Sequence, residues 1–411
     1  MLYYGLVGKH LSHSFSKEIH SMLGSYFYDL FSVDESAFDE MFEKKMFGGL
    51  NITIPYKQRV IKFCDSLSET AKRIGSVNTV VNKDGKLFGY NTDYLGFNYM
   101  LKANGIDLSD KKILVLGSGG TSLTVCACAK DAGAKKVVVV SRKGKDNYDN
   151  ISDHFNSDII INTTPVGMFP ENSATPVSLA SFTNCCGVID VIYNPLKTAL
   201  LLEAKELNIP HCNGLLMLIA QAKFASELFF DKQISESQIT EIYNILSKDL
   251  SNIVLTGMPA CGKSSVGKIV ATRLNRPFID TDVVVEKEMG MTIPHIFEQF
   301  GESEFRRLEA IAVKSAGAKN GVVISTGGGS ILSDENYDSL RQNGSIAFIE
   351  RDLELLQCKG RPLSKNADAI KALYEHRIPI YKRCCDFKAL NNDTVEKCAN
   401  DIIKKFEEAI F

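Results

Sequence analysis

The sequence lacks hydrophobic runs long enough to cross a membrane and lacks an excess of charge of either sign. A membrane helix needs about 20 consecutive apolar residues, and the longest apolar runs here are much shorter. The 47 Lys and Arg residues nearly balance 49 Asp and Glu, which leaves a formal net charge of −2. This balance provides no basic surface for nucleic acid and no cationic face for a membrane. We therefore expect small-molecule partners and neither nucleic acid nor membrane.

The cysteine patterns of disulfide-rich and zinc-binding proteins are also missing. The eleven cysteines occur as two adjacent pairs, one C-x-C and five single residues, with no C-x-x-C. This spacing predicts no zinc site. The opening residues, MLYYGLVGKH, have neither the basic start nor the apolar run of a secretory signal. Because disulfides persist in oxidising compartments, we expect reduced thiols in a cytoplasmic protein.

Short apolar strands alternate with helical patterns along almost the whole chain, which is typical of α/β architecture. At roughly 100–200 residues per domain, 411 residues predict two or three domains. The segment 229–252 is polar, compatible with a helix and without a strand of its own, so we place the main boundary there. Clear strands are predicted at 2–8, 112–117, 136–141, 158–163, 187–193, 252–257, 321–326 and 345–350.

A strand, a glycine-rich turn, a helix and a second strand follow one another in KILVLGSGGTSLTVCACAKDAGAKKVVVVSR. Gly117 and Gly119 permit a tight turn close to a pyrophosphate, and the helix N-terminus supplies amide donors. This setting predicts a dinucleotide site. The second strand ends at Ser141-Arg142-Lys143, where an NAD enzyme usually carries a carboxylate. Because a guanidinium can grip a 2′-phosphate, the sequence favours NADP.

A second glycine loop begins at Gly257, in GMPACGKSSV, directly after the apolar strand NIVLTG. It satisfies G-x-x-x-x-G-K-[ST] in full, the pattern of a loop whose backbone amides hold a β-phosphate. Lys263 would neutralise phosphate charge, and Ser264 would reach Mg²⁺. The match predicts a nucleotide site but leaves kinases, GTPases and motor ATPases open.

Four polar segments precede the first glycine loop: LSHSFSK, GGLNITIPYKQ, GSVNTVV and GYNTDYLGF. Together they offer hydroxyls, amides, one lysine and one aspartate, which suit a small polyol better than an apolar ligand. Taken singly, each of these residues is more often a cap or turn residue than a ligand.

The chain up to about residue 230 resembles shikimate dehydrogenase. Eight motifs of that family occur in order: SHSFSKEIH, GGLNITIPYKQ, GSVNTV, NTDYLGF, GSGGTS, INTTPVGM, DVIYNPLKT and NGLLMLIAQA. The resemblance implies a two-lobed dehydrogenase with a Rossmann domain for NADP(H), and Lys57 and Asp93 as the catalytic pair. Implied substrate contacts are Ser14, Ser16, Thr53, Asn78, Asp93, Tyr193 and Gln221. Implied cofactor contacts are Gly117, Ser118, Gly119, Gly120, Thr121, Ser141, Arg142 and Gly214.

Residues 251–385 resemble shikimate kinase in RPFIDTDVVVEKEMG, GESEFRRLEA, STGGGSIL, GRPL and RIPIY, which occur in that order. The resemblance implies a P-loop domain with a parallel sheet, catalysis by Lys263 and Asp282, and Mg²⁺ at Ser264 and Asp280. Glu309 would steady Arg306. Implied substrate contacts are Asp282, Arg306, Gly327, Gly328, Gly329 and Arg377. Implied ATP contacts are Gly257, Ala260, Cys261, Gly262, Lys263, Ser264, Ser265 and, on a short lid, Arg361.

Together the two resemblances imply a bifunctional enzyme. It would reduce 3-dehydroshikimate to shikimate with NADPH and then phosphorylate shikimate with ATP to shikimate 3-phosphate. We expect a substrate-binding lobe at 1–100 completed by 213–235, a Rossmann domain at 101–212, a linker at 236–250 and a kinase domain at 251–411. Three alternatives stay open: a preference for quinate or NAD, one half that has lost catalysis, and a P-loop half that acts as an NTPase switch. The oligomeric state stays open as well.

Overall fold

The computed structural model describes residues 2–11, 14–356 and 367–410, the side chains of 367–369 and 410 excepted. The chain forms two compact units. The first unit comprises Met1–Met168, Ala174–Tyr193 and Leu200–Tyr243, and the second comprises Phe169–Ser173, Asn194–Ala199 and Asn244–Phe411. Two short segments of the range predicted as Rossmann domain are therefore grouped with the second unit. No helix within the described ranges is both long and apolar enough to span a bilayer.

Among its described residues, the first lobe of the first unit contains six strands and four α-helices. The strands are β1 (Tyr3–Gly8), β2 (Tyr28–Ser32), β3 (Phe47–Ile52), β4 (Ser66–Leu67), β5 (Thr79–Lys83) and β6 (Lys86–Tyr90), and the helices are α1 (Ser16–Leu23), α2 (Glu35–Lys44), α3 (Glu69–Ile74) and α4 (Thr92–Ala103). The strands form one mixed sheet in the order β2-β1-β3-β5-β6-β4. Asp34 caps α2 by accepting the Ala37 N–H. Phe38 and Phe42 then reach the core at helical spacing.

The second lobe contains a parallel sheet and the glycine-turn helix. Its elements are β7 (Lys112–Leu116), α5 (Gly120–Asp131), β8 (Lys136–Val140), β9 (Ile159–Asn162), β10 (Gly187–Asp190), α6 (Ala199–Glu206), β11 (His211–Cys212) and α7 (Leu215–Phe230). The strands lie in the order β11-β10-β9-β7-β8. β7, β9 and β10 are almost wholly buried, as expected for parallel strands covered on both faces. Only a short 3₁₀ helix, Tyr148–His154, joins β8 to β9, and α7 returns to pack along α4.

The second unit is built on one parallel sheet. The helix α8 (Ser237–Leu250) includes the point in the chain where the second unit begins. The elements after it are β12 (Asn252–Thr256), α9 (Lys263–Leu274), β13 (Phe278–Asp280), α10 (Thr281–Met289), α11 (Ile293–Gly317), β14 (Val323–Ser325), α12 (Asp334–Arg341), β15 (Gly344–Glu350), α13 (Ala367–Cys384), β16 (Phe387–Leu390) and α14 (Val395–Ile410). The strand order is β13-β14-β12-β15-β16. Because the strands are parallel, β12, β13 and β14 all end at the same edge, where the second glycine loop follows β12.

All eight clearly predicted strands are present, and the predicted α/β class is confirmed. The largest difference at a strand end is in 187–193, where β10 stops at Asp190. The Asp190 Oδ1 accepts the Ile192 N–H at 3.0 Å, and such a local side-chain bond turns the backbone away from the sheet. The part of the chain that the structure describes contains eight other strands that were not among the clear predictions, namely β2 to β6, β11, β13 and β16.

Candidate active sites

A buried ion pair lies where the two lobes of the first unit meet. Lys57, in the turn after β3, donates from Nζ to Asp93 Oδ2 at 2.6 Å, and the two side chains are only 12% and 10% exposed. Asp93 is in the first turn of α4, which Asn91 caps by accepting the Tyr94 N–H. The lysine stem also lies against α5, since a Cβ at Gly120 would be 3.3 Å from its Cδ. The predicted catalytic pair is therefore assembled beside the first glycine turn.

Amide and hydroxyl side chains form a buried network beside this pair. Asn78 donates from Nδ2 to Thr92 Oγ1 at 3.0 Å and to Gln221 Oε1 at 3.4 Å. The Asn78 Oδ1 accepts the backbone N–H of Thr92 at 2.6 Å. Gln221, on α7, also donates from Nε2 to the carbonyl oxygen of Leu218 at 3.0 Å. Two predicted substrate contacts that are 143 residues apart in the chain are thus in direct contact.

The other predicted substrate contacts of the first unit form a smaller group. Ser14 donates from Oγ to Ser16 Oγ at 3.0 Å, and Ser16 begins α1. Burial raises the pKa of Tyr193 to about 12, although a hydrogen bond with Ser14 acts in the opposite direction. Thr53, just after β3, makes no direct side-chain hydrogen bond to these residues within the described part of the chain.

The first glycine turn has the geometry of a pyrophosphate-binding turn. Gly117 has φ of +107°, a left-handed conformation that favours glycine, and a Cβ there would lie 2.8 Å from Thr163 Oγ1. Gly119 caps α5, and no atom lies within 4 Å of a Cβ placed on it. The amide donors at the start of α5 are therefore accessible. The neighbouring predicted contacts are Ser118 in the turn and Gly120 and Thr121 in the first turn of α5.

Ser141 and Arg142 follow β8 in a tight loop. The Ser141 N–H donates to the Asp146 carbonyl oxygen at 3.1 Å. Arg142 is exposed, so its guanidinium is accessible to a phosphate. Gly214, the remaining predicted cofactor contact, precedes α7, and a Cβ there would lie 2.0 Å from the Val191 carbonyl oxygen. A side chain at Gly214 would therefore collide with the backbone after β10.

The second glycine loop folds around the amino group of its own lysine. Lys263 is 8% exposed and donates from Nζ to the carbonyl oxygens of Gly257 at 2.9 Å and Met258 at 3.0 Å. Gly257 and Gly262 have φ of +147° and +98°, a region open mainly to glycine. The other predicted ATP contacts are Ala260, which has φ of +64°, the buried Cys261, and Ser264 and Ser265 on α9.

Oxygen donors meet at the start of α10. Ser264 donates from Oγ to Asp280 Oδ2 at 2.6 Å, and Asp280 Oδ1 accepts the Asp282 N–H at 3.1 Å. Mg²⁺ typically binds one or two protein oxygens together with waters and phosphate oxygens. The described residues contain no cluster of three or more His, Cys, Asp or Glu that could hold a metal ion. A hydroxyl and one carboxylate beside a phosphate loop fit Mg²⁺ shared with a nucleotide.

The consecutive glycines after β14 lie against side chains of the same site. A Cβ at Gly327 would be 2.5 Å from Glu309 Oε1 and 2.7 Å from Asp282 Oδ1. A Cβ at Gly329 would be 2.5 Å from Arg306 Nη1. Any larger residue at either position would displace the carboxylates or the guanidinium. The absence of side chains at Gly327 and Gly329 therefore allows these charged groups to pack directly against the loop.

Arginines and a buried glutamate complete this site. Arg306 donates from Nη1 to Glu309 Oε2 at 2.7 Å, and the glutamate side chain is 2% exposed. Burial disfavours the charge on Arg306, yet Glu309 and Glu302 raise its pKa above the ordinary value. Arg377 is 5% exposed, and its Nε has no hydrogen-bond partner among the described residues. Such a group suits a carboxylate ligand. Arg361 lies outside the described residues.

Two supporting residues were missed in the sequence. Tyr381 donates its hydroxyl hydrogen bond to the carbonyl oxygen of Gly328, and burial raises its pKa to about 12 while Arg377 acts in the opposite direction. Ser330 donates from Oγ to Glu309 Oε1 at 2.6 Å. The spacing in RIPIY could have indicated Tyr381, because residues four apart share a helix face. Nothing local marks Ser330 as the partner of a glutamate on α11.

Comparison with known families matches both parts of the chain. The family model described as shikimate kinase matches residues 259–407, and the one described as shikimate dehydrogenase substrate binding domain matches residues 6–80. The chain is also similar to the shikimate dehydrogenase (NADP(+)) of Clostridium beijerinckii, with 39% identity over 271 residues. That alignment covers 61% of this chain and 99% of the relative.

Two solved structures are similar to the same part of the chain. Shikimate dehydrogenase 1 from Peptoclostridium difficile is 37% identical with a TM-score of 0.57, and the match covers 60% of this chain and 98% of that one. Shikimate 5-dehydrogenase from Thermus thermophilus, solved in complex with NADP(H) and shikimate, is 30% identical with a TM-score of 0.54, and the match covers 59% and 98%.

Proposed function

We infer the function of this chain from its family, because the chain belongs to the shikimate dehydrogenase family and carries a shikimate kinase domain. It is a bifunctional enzyme of the shikimate pathway, which leads to aromatic amino acids, with an oxidoreductase part followed by a kinase part. The proposed reactions are reduction of 3-dehydroshikimate to shikimate and phosphorylation of shikimate to shikimate 3-phosphate. The product of the first reaction is then the substrate of the second.

In the dehydrogenase part, Lys57 is proposed as the general acid. NADPH, when bound, supplies hydride to the ketone carbon, and the oxygen that becomes an alkoxide needs a proton. Lys57 Nζ carries that proton and is held by Asp93 at 2.6 Å. Asp93 thereby orients the ammonium group and keeps a carboxylate beside the substrate. In the reverse direction the same lysine accepts the proton.

Binding roles in this part follow from chemistry and position. We propose that Ser14, Ser16, Thr53, Asn78 and Gln221 offer hydroxyls and amides to the substrate's hydroxyls and carboxylate. Tyr193 and Gly214 are proposed to lie near the reacting centre. The open N-terminus of α5, with Gly119 as its cap, suits a pyrophosphate. NADP(H) is the proposed cofactor, because Arg142 is exposed after β8 and a guanidinium favours a 2′-phosphate.

In the kinase part, the residues neutralise charge and position the acceptor. ATP, when bound, supplies the phosphoryl group, and Lys263 with the loop amides holds its phosphates. Ser264 and Asp280 would hold Mg²⁺. Asp282 accepts the hydrogen of the acceptor hydroxyl, while Arg306 and Arg377 hold the substrate carboxylate. Phosphoryl transfer depends on positioning and charge neutralisation, which these residues provide.

One observation carries the proposal: each unit contains its own glycine loop beside its own group of charged side chains, Lys57 with Asp93 in one and Asp280 with Asp282 in the other. The test supplies the purified chain with 3-dehydroshikimate, NADPH, ATP and Mg²⁺ and follows products by mass spectrometry. We expect shikimate 3-phosphate from the wild type. Its absence would refute the bifunctional assignment.

Two matched variants separate the activities in the same experiment. Lys263→Met should accumulate shikimate without phosphorylating it. Lys57→Met should leave 3-dehydroshikimate unreacted but still phosphorylate added shikimate. Parallel reactions with quinate and with NAD⁺ test the substrate and cofactor alternatives, and faster turnover with either would overturn the corresponding assignment.

A further inference from the structure

A hydrogen-bonded chain runs through the first lobe behind the predicted substrate contacts. It begins at Tyr28 on β2, whose hydroxyl donates to Asn51 Oδ1 on β3 at 2.8 Å. Asn51 Nδ2 in turn donates to Thr79 Oγ1 at 3.0 Å and to the Asn78 carbonyl oxygen at 3.4 Å. The three side chains are 4%, 3% and 0% exposed. Both N–H groups of the Asn51 amide therefore donate to acceptors inside the protein, and its oxygen accepts one hydrogen bond there.

The chain continues from Thr79 to Gln221. Thr79 Oγ1 lies 2.9 Å from Thr92 Oγ1, and Thr92 Oγ1 lies 3.4 Å from Gln221 Oε1. Thr79 already accepts a hydrogen from Asn51, so its single hydroxyl hydrogen is donated onward. The acceptor is Thr92 Oγ1 at 2.9 Å or Asn78 Oδ1 at 3.2 Å, and both Thr92 Oγ1 and Asn78 Nδ2 donate to Gln221 Oε1. The hydrogen bonds thus run in one direction, from Tyr28 towards Gln221, where Oε1 is the final acceptor.

This direction determines which face of the Gln221 amide is left for a ligand. Its Oε1 accepts from Asn78 and Thr92 on the inner side. Its Nε2 donates one hydrogen to the Leu218 carbonyl oxygen, and a primary amide has a second one.

We propose that Tyr28 is a positioning residue for the dehydrogenase reaction. Its hydroxyl, acting through Asn51 and Thr79, keeps the hydrogen bonds pointing towards Gln221, so that this amide presents an N–H donor to the substrate. Tyr28 touches neither substrate nor cofactor in this role. The inference rests on the proposed function, because it assumes that Gln221 binds shikimate.

The packing of Tyr28 can be separated from its hydroxyl. The Tyr28 ring stacks on the His20 ring, with centroids 3.8 Å apart and planes 10° apart. The Tyr28→Phe substitution keeps this stack and removes only the donor to Asn51. Tyr26 provides a matched control, since its hydroxyl bonds to Ser226 at 2.6 Å and to His20 but not to the chain that reaches Gln221.

The experiment measures shikimate oxidation with NADP⁺ for the wild type, Tyr28→Phe and Tyr26→Phe. Loss of one buried donor should raise the KM for shikimate about tenfold in Tyr28→Phe. We expect kcat and the KM for NADP⁺ to stay within about twofold, because neither hydride transfer nor the cofactor site is touched. Tyr26→Phe should leave all three constants unchanged. Kinase turnover in the same preparations reports equal chain concentration.

Two results would overturn the proposal. One is a KM for shikimate in Tyr28→Phe that matches the wild type. The other is an equal rise in Tyr26→Phe, which would make the effect one of packing around His20. If Tyr28→Phe does not fold, Thr79→Val interrupts the same chain one residue further on and should give the same rise in KM. Failure of the wild type to oxidise shikimate would instead refute the proposed function, before any variant is compared.

Discussion

Replacement of Lys57 by methionine tests the central feature of the dehydrogenase site. Methionine has a similar length but carries no charge and no proton to donate. General acid–base catalysis by a positioned side chain contributes about 10²–10⁴-fold to the rate. We therefore expect kcat for shikimate oxidation to fall by that factor, which corresponds to about 2.7–5.4 kcal/mol of activation free energy. The KM for NADP⁺ should change little, because Lys57 approaches α5 only through its stem.

The Lys57→Met substitution should also lower the free energy of unfolding, and the burial of the ion pair allows an estimate of that loss. Asp93 would lose a partner at 2.6 Å while its side chain is only 10% exposed. Removal of one partner from a buried pair costs about 3–5 kcal/mol. Asp93 lies in the first turn of α4, where the helix dipole compensates by about 0.3–1 kcal/mol. We expect the free energy of unfolding of the first unit to fall by about 2–5 kcal/mol.

Steady-state formation of NADPH gives kcat, and urea unfolding gives the stability. Lys62→Met is the matched control: that side chain is 55% exposed and lies 3.1 Å from Asp39. An exposed pair contributes at most about 1 kcal/mol, so this variant should keep its activity. A Lys57→Met enzyme that stays folded and loses less than about tenfold in kcat would refute Lys57 as the general acid.

Three further outcomes follow from the geometry. Arg142→Ala should raise the KM for NADP⁺ about tenfold and leave that for NAD⁺ unchanged, because only the 2′-phosphate contact is lost. Glu309→Gln keeps the shape of a side chain that holds Arg306 at 2.7 Å; removal of its charge should raise the kinase KM for shikimate about tenfold with the KM for ATP unaffected. Burial lowers the pKa of His20 from 6.5 to about 3. Between pH 6.5 and about pH 3, the imidazole is therefore protonated in the unfolded state but not in the folded state. The free energy of unfolding of the first unit should then fall by about 1.4 kcal/mol for each unit of decreasing pH, and His20→Gln should flatten this slope in urea titrations.

Each of these outcomes has a result that contradicts it. Equal changes for NADP⁺ and NAD⁺ would show that Arg142 acts on the loop as a whole. A rise in the KM for ATP alone would place Glu309 on the nucleotide side of the kinase site. An unchanged acid slope in His20→Gln would assign the loss of stability to other groups. Lys62→Met again serves as a control, because it shows the effect of replacing an exposed side chain outside the proposed sites.

Both glycine loops could be predicted from the sequence because their requirements are local. Gly117, Gly257 and Gly262 adopt positive φ, and a strand before and a helix after each loop bring amide donors to one point. The pattern that predicts such a loop spans only a few residues. The eight clearly predicted strands were visible for the same reason, because fully buried parallel strands are continuous apolar runs. The strands of the first lobe are mixed in direction and less uniformly apolar, so they were less distinct.

Spacing alone did not reveal why three glycines follow β14. The resemblance implies substrate contacts at these glycines, and that stays a prediction. The structure adds that Glu309, Asp282 and Arg306 pack against Gly327 and Gly329. These side chains come from α10 and α11, before the glycines in the chain. Their contact with the glycines depends on how the helices pack against the sheet edge, and the local sequence around each residue does not predict this packing.

The two glycine loops and the α/β class could be predicted from the amino-acid sequence alone, because each depends on neighbours along the chain. Which charged and polar residues contact one another depends on tertiary packing. Asn78 and Gln221 are 143 residues apart, yet their amides are hydrogen-bonded, because α7 packs along α4. The chain from Tyr28 to Gln221 likewise joins β2, β3, β5, α4 and α7. Hydrogen bonds are short and directional, so a contact of this kind exists only after packing has brought distant elements together.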